Sequence, residues 1–348
     1  MKTIIESMEE GNIPKTLQKA GEILKNGGLV AFPTETVYGL GANALDEEAA
    51  ARIYEAKGRP SDNPLIVHIA ELNALEFIAA EVPKKAWKLA EAFWPGPLTM
   101  IFQKNDRVPY GTTGGLDTVA VRFPDHVVAQ AVIRAGGGYI AAPSANTSGR
   151  PSPTSAAHVA EDLAGRIDMI IDGGDVGIGL ESTIVDMTQE VPVILRPGYV
   201  NRDMLENVIG HVKVDKALLK DDSSIRPKAP GMKYKHYAPK ADLLIIEGEQ
   251  ECVVQKINEL IAIGEASGKH IGVIAADETV GLYVGGVVKS IGGRSEELAI
   301  AQHLYGILRE FDELEVSQIY SEAFKTPKMG HAIMNRLMKA AGHKIIKV

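Results

Sequence analysis

From His211 to Lys240 the periodic alternation of apolar and polar residues lapses, and a pattern-free stretch of that length is long for a connection inside one compact domain. The chain therefore reads as two bodies that must each bury a core of their own. Within the break, Asp221-Asp222-Ser223-Ser224-Ile225-Arg226-Pro227-Lys228-Ala229-Pro230-Gly231-Met232-Lys233-Tyr234-Lys235-His236-Tyr237-Ala238-Pro239 is rich in aromatic, basic and histidine side chains, unlike a flexible Gly/Ser spacer. It is expected to fold back as a lid. The length of 348 residues is comfortable for two domains, here divided as 1–210, a linker over 211–240, and 241–348.

The first body shows short apolar runs interleaved with helical patterns. Pro14 through Lys25 is a helix ended by Asn26-Gly27-Gly28, and Leu29-Val30-Ala31-Phe32 is a buried strand stopped by Pro33. Thr34-Glu35-Thr36-Val37-Tyr38-Gly39-Leu40-Gly41 then offers two hydroxyls, a carboxylate and two glycines directly after a strand, where α/β proteins tend to place sites. An ordinary strand-to-helix loop reads equally well. Pro83 to Phe93 is helical, and Trp94-Pro95-Gly96-Pro97 turns into the strand Leu98 to Phe102, with Trp94 expected to pack rather than bind. In Thr118-Val119-Ala120-Val121-Arg122-Phe123 a period of two puts Thr118, Ala120 and Arg122 on one face and Val119, Val121 and Phe123 on the other. Arg122 is then either on a solvated face or a carboxylate clamp, to which its planar fork is suited.

Lys57-Gly58-Arg59-Pro60-Ser61-Asp62-Asn63-Pro64 reads as a helix end and a polar turn before the strand Leu65-Ile66-Val67-His68. Asp46 can accept from the free N–H groups at the helix start, with Glu47 and Glu48 beside it, and Gly58 suits the left-handed position after the last turn. Lys57 and Arg59 are thus cations at the rim of a fixed element. They offset the helix dipole, or they face a polyanion. Asn63 and His68 add an amide and an imidazole at the edge of an apolar strand, where polar groups are costly without partners. Further on, Pro143-Ser144-Ala145-Asn146-Thr147-Ser148-Gly149-Arg150-Pro151-Ser152 is dense in small polar groups that can cradle phosphate, without the lysine of a P-loop. Val193-Ile194-Leu195-Arg196-Pro197-Gly198 sets a third cation at a strand end. Mixed rather than purely parallel pairing is expected.

Past the break, strands at Asp242–Ile246, Ile271–Ala275, Val287–Ile291 and Gln318–Tyr320 alternate with helices at Gln250–Ala266, Glu296–Glu310 and His331–Ala341, the order of a small doubly wound parallel sheet. Composition excludes other classes. Cys252 is the single cysteine, read as core in its helix, so neither an internal disulfide nor a cysteine zinc site is possible. No apolar run approaches the roughly 20 residues that span a bilayer, and the start lacks the apolar segment of a signal peptide, so a cytoplasmic location is expected. A formal charge of -8 argues against a broad grip on nucleic acid.

Taken together and in this order, Thr34-Glu35-Thr36-Val37-Tyr38-Gly39-Leu40, Lys57-Gly58-Arg59, Pro143-Ser144-Ala145-Asn146 and Pro230-Gly231-Met232-Lys233-Tyr234-Lys235-His236-Tyr237-Ala238-Pro239 make the chain resemble the threonylcarbamoyl-AMP synthases in their long form. The resemblance implies an α/β chain with a YrdC-like twisted mixed sheet flanked by helices, a linker, and a Rossmann-like C-terminal domain. It also implies condensation of L-threonine, bicarbonate and ATP to threonylcarbamoyl-AMP and pyrophosphate, for modification of the adenosine beside the anticodon of certain tRNAs. Mg2+ would come with the ATP phosphates, and no metal ligand of the protein is expected. Partners implied are the small-molecule substrates, handover to a separate tRNA threonylcarbamoyl transferase complex, weak tRNA contact, and no membrane.

By the same resemblance, Thr36, His68, Arg122, Ala142 and Ser182 would bind threonine. Arg59, Asn63, Thr118, Ser144, Ser152, Arg196, Tyr234 and His236 would bind ATP. Lys57, Arg59, Ser144 and Asn146 are the expected catalytic group, Lys57 and Asn146 orienting phosphate or the carboxylated intermediate. Two other readings are a non-catalytic RNA-binding YrdC-like protein, weakened by the acidic balance and the lack of an aromatic stacking platform, and a carbamoyl-adenylate transferase, which would need further segments.

Overall fold

The computed structural model describes residues 2–8, 13–215, 229 and 236–348. Two compact units emerge, one built from Met1–Ser148, Ser152–Gly177 and Glu181–Tyr234, the other from Gly149–Pro151, Ile178–Leu180 and Lys235–Val348. Tyr234 and most of the expected lid lie outside the described residues.

The first unit holds the strands β1 (Ile4–Ser7), β2 (Val30–Phe32), β3 (Gly39–Asn43), β4 (Ile66–His68), β5 (Leu98–Gln103), β6 (Thr118–Arg122), β7 (Ile140–Ala141), β8 (Met169–Asp172), β9 (Thr183–Asp186), β10 (Val193–Arg196) and β11 (Lys213–Val214). They form one sheet in the order β1-β8-β2-β3-β7-β4-β6-β5-β9-β10-β11. Pairing is mixed, as expected: β4 runs parallel to β6, while β5 runs antiparallel to β6. β11 pairs with β10, so the first residues after 210 belong to the sheet rather than to a linker. The period of two separates the faces of the central strands. Val67, Met100, Phe102, Val119, Val121 and Val185 join the large core, whereas Ile66, Ile101, Ala120, Ile184 and Leu195 form a smaller cluster with Ala229. That smaller cluster leaves the rest of its face to polar side chains.

The helix Glu47–Lys57 that leads to the polar turn is fixed at both ends. Asp46 Oδ1 accepts from the N–H groups of Glu48 (2.9 Å) and Ala49 (3.2 Å). Gly58 takes φ 60°, and its N–H bonds the carbonyl of Glu55, a left-handed stop that a side chain would strain. Trp94 is buried, with its indole N–H on the Leu98 carbonyl at 2.7 Å, as a packing residue should be.

In the second unit, β12 (Asp242–Glu247), β13 (Ile271–Ala275), β14 (Val287–Ser290), β15 (Gln318–Glu322) and β16 (Ile345–Lys347) make a sheet ordered β14-β13-β15-β12-β16, all parallel. β16 escaped the sequence reading because only Ile345 and Ile346 mark it as apolar. The helix Gln250–Ala266 buries Val253, Ile257, Ile261 and Gly264. Cys252 lies off that stripe and is exposed, which corrects the expectation that it is core. At the carboxyl ends of β12 and β15 a cavity of about 550 Å³ is bordered by the ion pairs Arg294–Glu322 and Lys325–Glu247. Among the described residues no helix is long and apolar enough to cross a membrane.

The cap gives a direct test of the local argument. Asp46→Ala removes the acceptor for two helix N–H groups and is expected to lower stability by about 1 kcal/mol, whereas Asp46→Asn keeps an acceptor and stays within a few tenths of that unit's native value; denaturant titration of both variants measures the difference.

Candidate active site

The polar residues of the central sheet face line up because the strands are in register. Arg122 on β6 is the register partner of His68 on β4 and of Thr99 on β5, and Thr99 Oγ1 lies 2.8 Å from Ser182 Oγ, just before β9. Arg196 closes the row: its Nε donates to the Ser182 carbonyl at 3.0 Å and its Nη2 to Ser182 Oγ at 3.2 Å. Two guanidiniums, two hydroxyls and an imidazole thus share one buried row. Arg122 is 4 % exposed, which removes the solvated-face reading.

His68 is fully enclosed. Its Nδ1 sits 3.1 Å from the Ile66 carbonyl, an acceptor, so that nitrogen carries the proton and donates. Burial first, and then the charge of Arg122, pull its pKa down to about 3, and the ring is neutral at pH 7. The row is flanked by Ala142, whose N–H donates to the Ile66 carbonyl at 2.9 Å, and by the loop Thr34-Glu35-Thr36. There the hydroxyls of Thr34 and Thr36 bond each other at 2.9 Å, and Glu35 Oε2 stands 2.7 Å from Arg122 Nη2.

A second cluster forms around Lys57. This lysine is only 2 % exposed, and its ammonium donates to the carbonyls of Ser144 and Asn146, while its own carbonyl accepts from the Ser148 N–H at 2.8 Å. Inside the turn so fixed, Ser144 Oγ donates to Asn146 Oδ1 at 2.6 Å and Asn146 Nδ2 to the Thr147 carbonyl at 2.8 Å. The Thr147 N–H bonds Asp162 at 3.1 Å. Gly39 and Ser144 form an isolated bridge, which joins this turn to the end of the Thr34–Gly39 loop. Arg59 folds back on its own turn, Nε to the Asn63 carbonyl at 3.3 Å and Nη2 to that of Pro64 at 3.1 Å. The Tyr54 hydroxyl also donates to the Asn63 carbonyl, at 3.2 Å; burial pushes its pKa up to about 12. Ser152 is buried with its hydroxyl on Glu181 Oε1 at 2.5 Å, and Thr118 opens β6 opposite Gln103.

The expected residues therefore fall into connected groups. Thr36, His68, Arg122, Ala142, Ser182 and Arg196 border the row, and Lys57, Arg59, Asn63, Ser144 and Asn146 gather at the helix end and its facing turn. Ser152 is tied to Glu181, which is followed directly by Ser182. His236 belongs to the second unit, its ring 5.6 Å from that of Tyr237, and Tyr234 is not among the described residues. Sequence reading missed Thr99 and Glu181, and it left Glu35 without a role. Thr99 carried a usable signal, a polar residue on the face of an apolar strand that it shares with Ile101.

Acidification tests the enclosed imidazole. The unfolded chain gains a proton near pH 6.5 that native His68 does not take until about pH 3, so stability falls as the pH drops through that window. Between pH 7 and 5 the loss from this residue should be about 2 kcal/mol, and His68→Asn should flatten the pH dependence of unfolding by that amount in denaturant titrations at pH 7 and 5.

Known proteins match this chain over nearly its whole length. A family model described as "Telomere recombination", of the Sua5, YciO and YrdC proteins, matches residues 22–198, and the "Threonylcarbamoyl-AMP synthase, C-terminal domain" model matches residues 200–342. The threonylcarbamoyl-AMP synthase of Pyrococcus abyssi is 50% identical over 99% of this chain and 100% of its own. That of Bacillus subtilis is 51% identical over 97% of this chain and 95% of its own. The crystal structure of P. abyssi Sua5 complexed with L-threonine superposes with a TM-score of 0.94 at 49% identity, covering 99% of this chain and 100% of that one.

Proposed function

The chain belongs to the Sua5-type threonylcarbamoyl-AMP synthases, and from that premise we propose that its buried polar row seats L-threonine while the Lys57 turn and its neighbours hold the ATP phosphates. The activity is that of a nucleotidyltransferase joining L-threonine, bicarbonate and ATP into threonylcarbamoyl-AMP, with pyrophosphate as the second product, in the pathway of tRNA threonylcarbamoyladenosine modification. The RNA-binding and carbamoyl-transfer alternatives give way to this reading, because synthases match the chain through both units.

The observation that carries the residue assignment is the in-register row His68–Arg122–Thr99 with Ser182 and Arg196 at its end. A guanidinium fork on a buried face matches an amino-acid carboxylate in plane and charge. The neutral imidazole beside it adds hydrogen-bonding capacity without a competing charge. Thr36 and Ser182 supply hydroxyls for the polar groups of threonine, and Ala142 walls the seat. Arg59, Arg196, Asn63, Thr118, Ser144 and Ser152 present donors suited to phosphate oxygens. Asn146 fixes the Ser144 hydroxyl, and Lys57 acts as a positioning residue, its ammonium holding the backbone of that turn. His236 and Tyr234 are assigned to the nucleotide on family resemblance alone.

Adenylate formation needs no covalent nucleophile. The carboxylated threonine attacks the α-phosphorus as pyrophosphate departs, so the protein contributes by holding the reactants in line and by placing cations where charge develops. Mg2+ would enter bound to ATP, held by phosphate oxygens and water. The donors gathered in the cradle are hydroxyls, amides and cations, a set that fits phosphate rather than a divalent ion. The product is a hydrolysable mixed anhydride, which favours handover to a transferase acting on tRNA.

Arg122→Ala separates the two halves of the site. Losing a charged two-point contact of about 1.5–3 kcal/mol should raise the KM for threonine about 10- to 150-fold and leave the KM for ATP within threefold. Pyrophosphate release measured with labelled threonine, bicarbonate and ATP reads both constants, and an unchanged threonine KM would refute the assignment.

A further inference from the structure

The contact between Arg122 and Glu35 is unusual for a buried ion pair. The two groups are 2.7 Å apart, with side chains 5 % and 13 % exposed. Yet neither carboxylate oxygen of Glu35 accepts a hydrogen bond, and neither Nε nor Nη2 of Arg122 donates one. Buried charges normally complete their hydrogen bonds. Here an open donor fork and an open pair of acceptors stand side by side. Their complement is a molecule that carries a carboxylate and an ammonium on one carbon, which is the zwitterion of an α-amino acid.

We propose that Glu35 receives the ammonium of threonine and acts as the proton acceptor when that nitrogen is carboxylated, a role that rests on reading Arg122 as the carboxylate's partner. The proton count requires such a group. Threonine arrives as R–NH3+, and R–NH3+ with HCO3– gives R–NH–COO–, water and one proton. The new bond joins nitrogen to the bicarbonate carbon, and a carbon–oxygen bond breaks. Of the two protons that leave nitrogen, one departs with the released oxygen as water, and the other has no destination among the reactants. Glu35 takes it. Adenylation follows, with the carbamate oxygen attacking the α-phosphorus.

The neutral amine behaves differently, since R–NH2 and HCO3– yield R–NH–COO– and water with no proton left over. An enzyme lacking the acceptor is therefore rescued by alkali. The charged and titratable groups around Glu35 do not obscure this. Arg122 on β6 stays charged, and His68 on β4 stays neutral. His126, which precedes the helix Val127–Ala135, is held by burial below its ordinary pKa despite the nearby Glu35 and Asp125, so neither imidazole titrates above pH 7.

The experiment measures kcat/KM for threonine by pyrophosphate release from pH 7 to 9, each variant divided by the native enzyme at the same pH. Glu35→Gln should be about 100-fold below native at pH 7 and recover by about tenfold per pH unit as the amine deprotonates in solution. A deficit of constant size across the range, or one below threefold, overturns the proposal. Should the amide variant fail to fold, Glu35→Asp decides: a withdrawn acceptor lowers kcat in addition to raising threonine KM, whereas a raised KM at native kcat marks a residue that merely shapes the seat. Arg122→Ala is run alongside. A raised threonine KM without alkaline recovery keeps the seat intact as a reading, so that failure of Glu35 alone is recognised; an unaffected KM removes the seat and the proposal with it.

Discussion

A guanidinium taken out of water in the middle of a sheet governs what surrounds it. Arg122 is almost fully buried, and removing one partner from such a pair costs about 3–5 kcal/mol. Its polar neighbours answer this constraint. Glu35 brings the countercharge, and His68 remains uncharged because burial disfavours its protonated form and the charge of Arg122 adds to that. The two strands beside β6 contribute their polar residues at the register position of Arg122 rather than elsewhere. Register is what makes this economical in sequence terms, since a one-residue slip would turn His68 or Thr99 into the large apolar core.

Lys57 meets the same constraint by a different route. Its ammonium is satisfied by the backbone carbonyls of Ser144 and Asn146, which ties the C-terminal end of the helix Glu47–Lys57 to a turn far away in sequence. The glycine stop at Gly58 and the Asp46 cap fix the helix on which the lysine rides. The position of the Ser144 hydroxyl is thereby referred to a rigid element, and preorganisation of this kind is what in-line transfer demands.

Much of this was legible in the chain. The cap at Asp46, the left-handed Gly58 and the face-sharing of Thr118, Ala120 and Arg122 follow from local rules, and the structure bears each of them out. Strand β16 and the β10–β11 pairing were hidden because two apolar residues are too few to show a period. Cys252 was misjudged because hydrophobicity was weighed without the phase of its helix, whose buried stripe begins one residue later. Glu35 could be seen as a carboxylate in a loop, but its partner is 87 residues away on another strand, and no local pattern encodes that encounter.

Arg122 and Lys57 divide the work by the kind of partner each holds. Backbone carbonyls cannot turn away without unfolding the turn that carries them, so Lys57 is committed to its place. A glutamate side chain can rotate about its own bonds, and the contact it makes with Arg122 lacks aligned hydrogen bonds. Such a contact neutralises the guanidinium and, on the proposed assignment, yields its place to a carboxylate arriving in a better plane. A zwitterion does this without changing the net charge of the row, which keeps the desolvation cost of entry lower than it would be for a simple anion. On the proposed assignment, the arrangement therefore selects for a substrate that brings an ammonium with its carboxylate, before any chemistry at phosphorus begins.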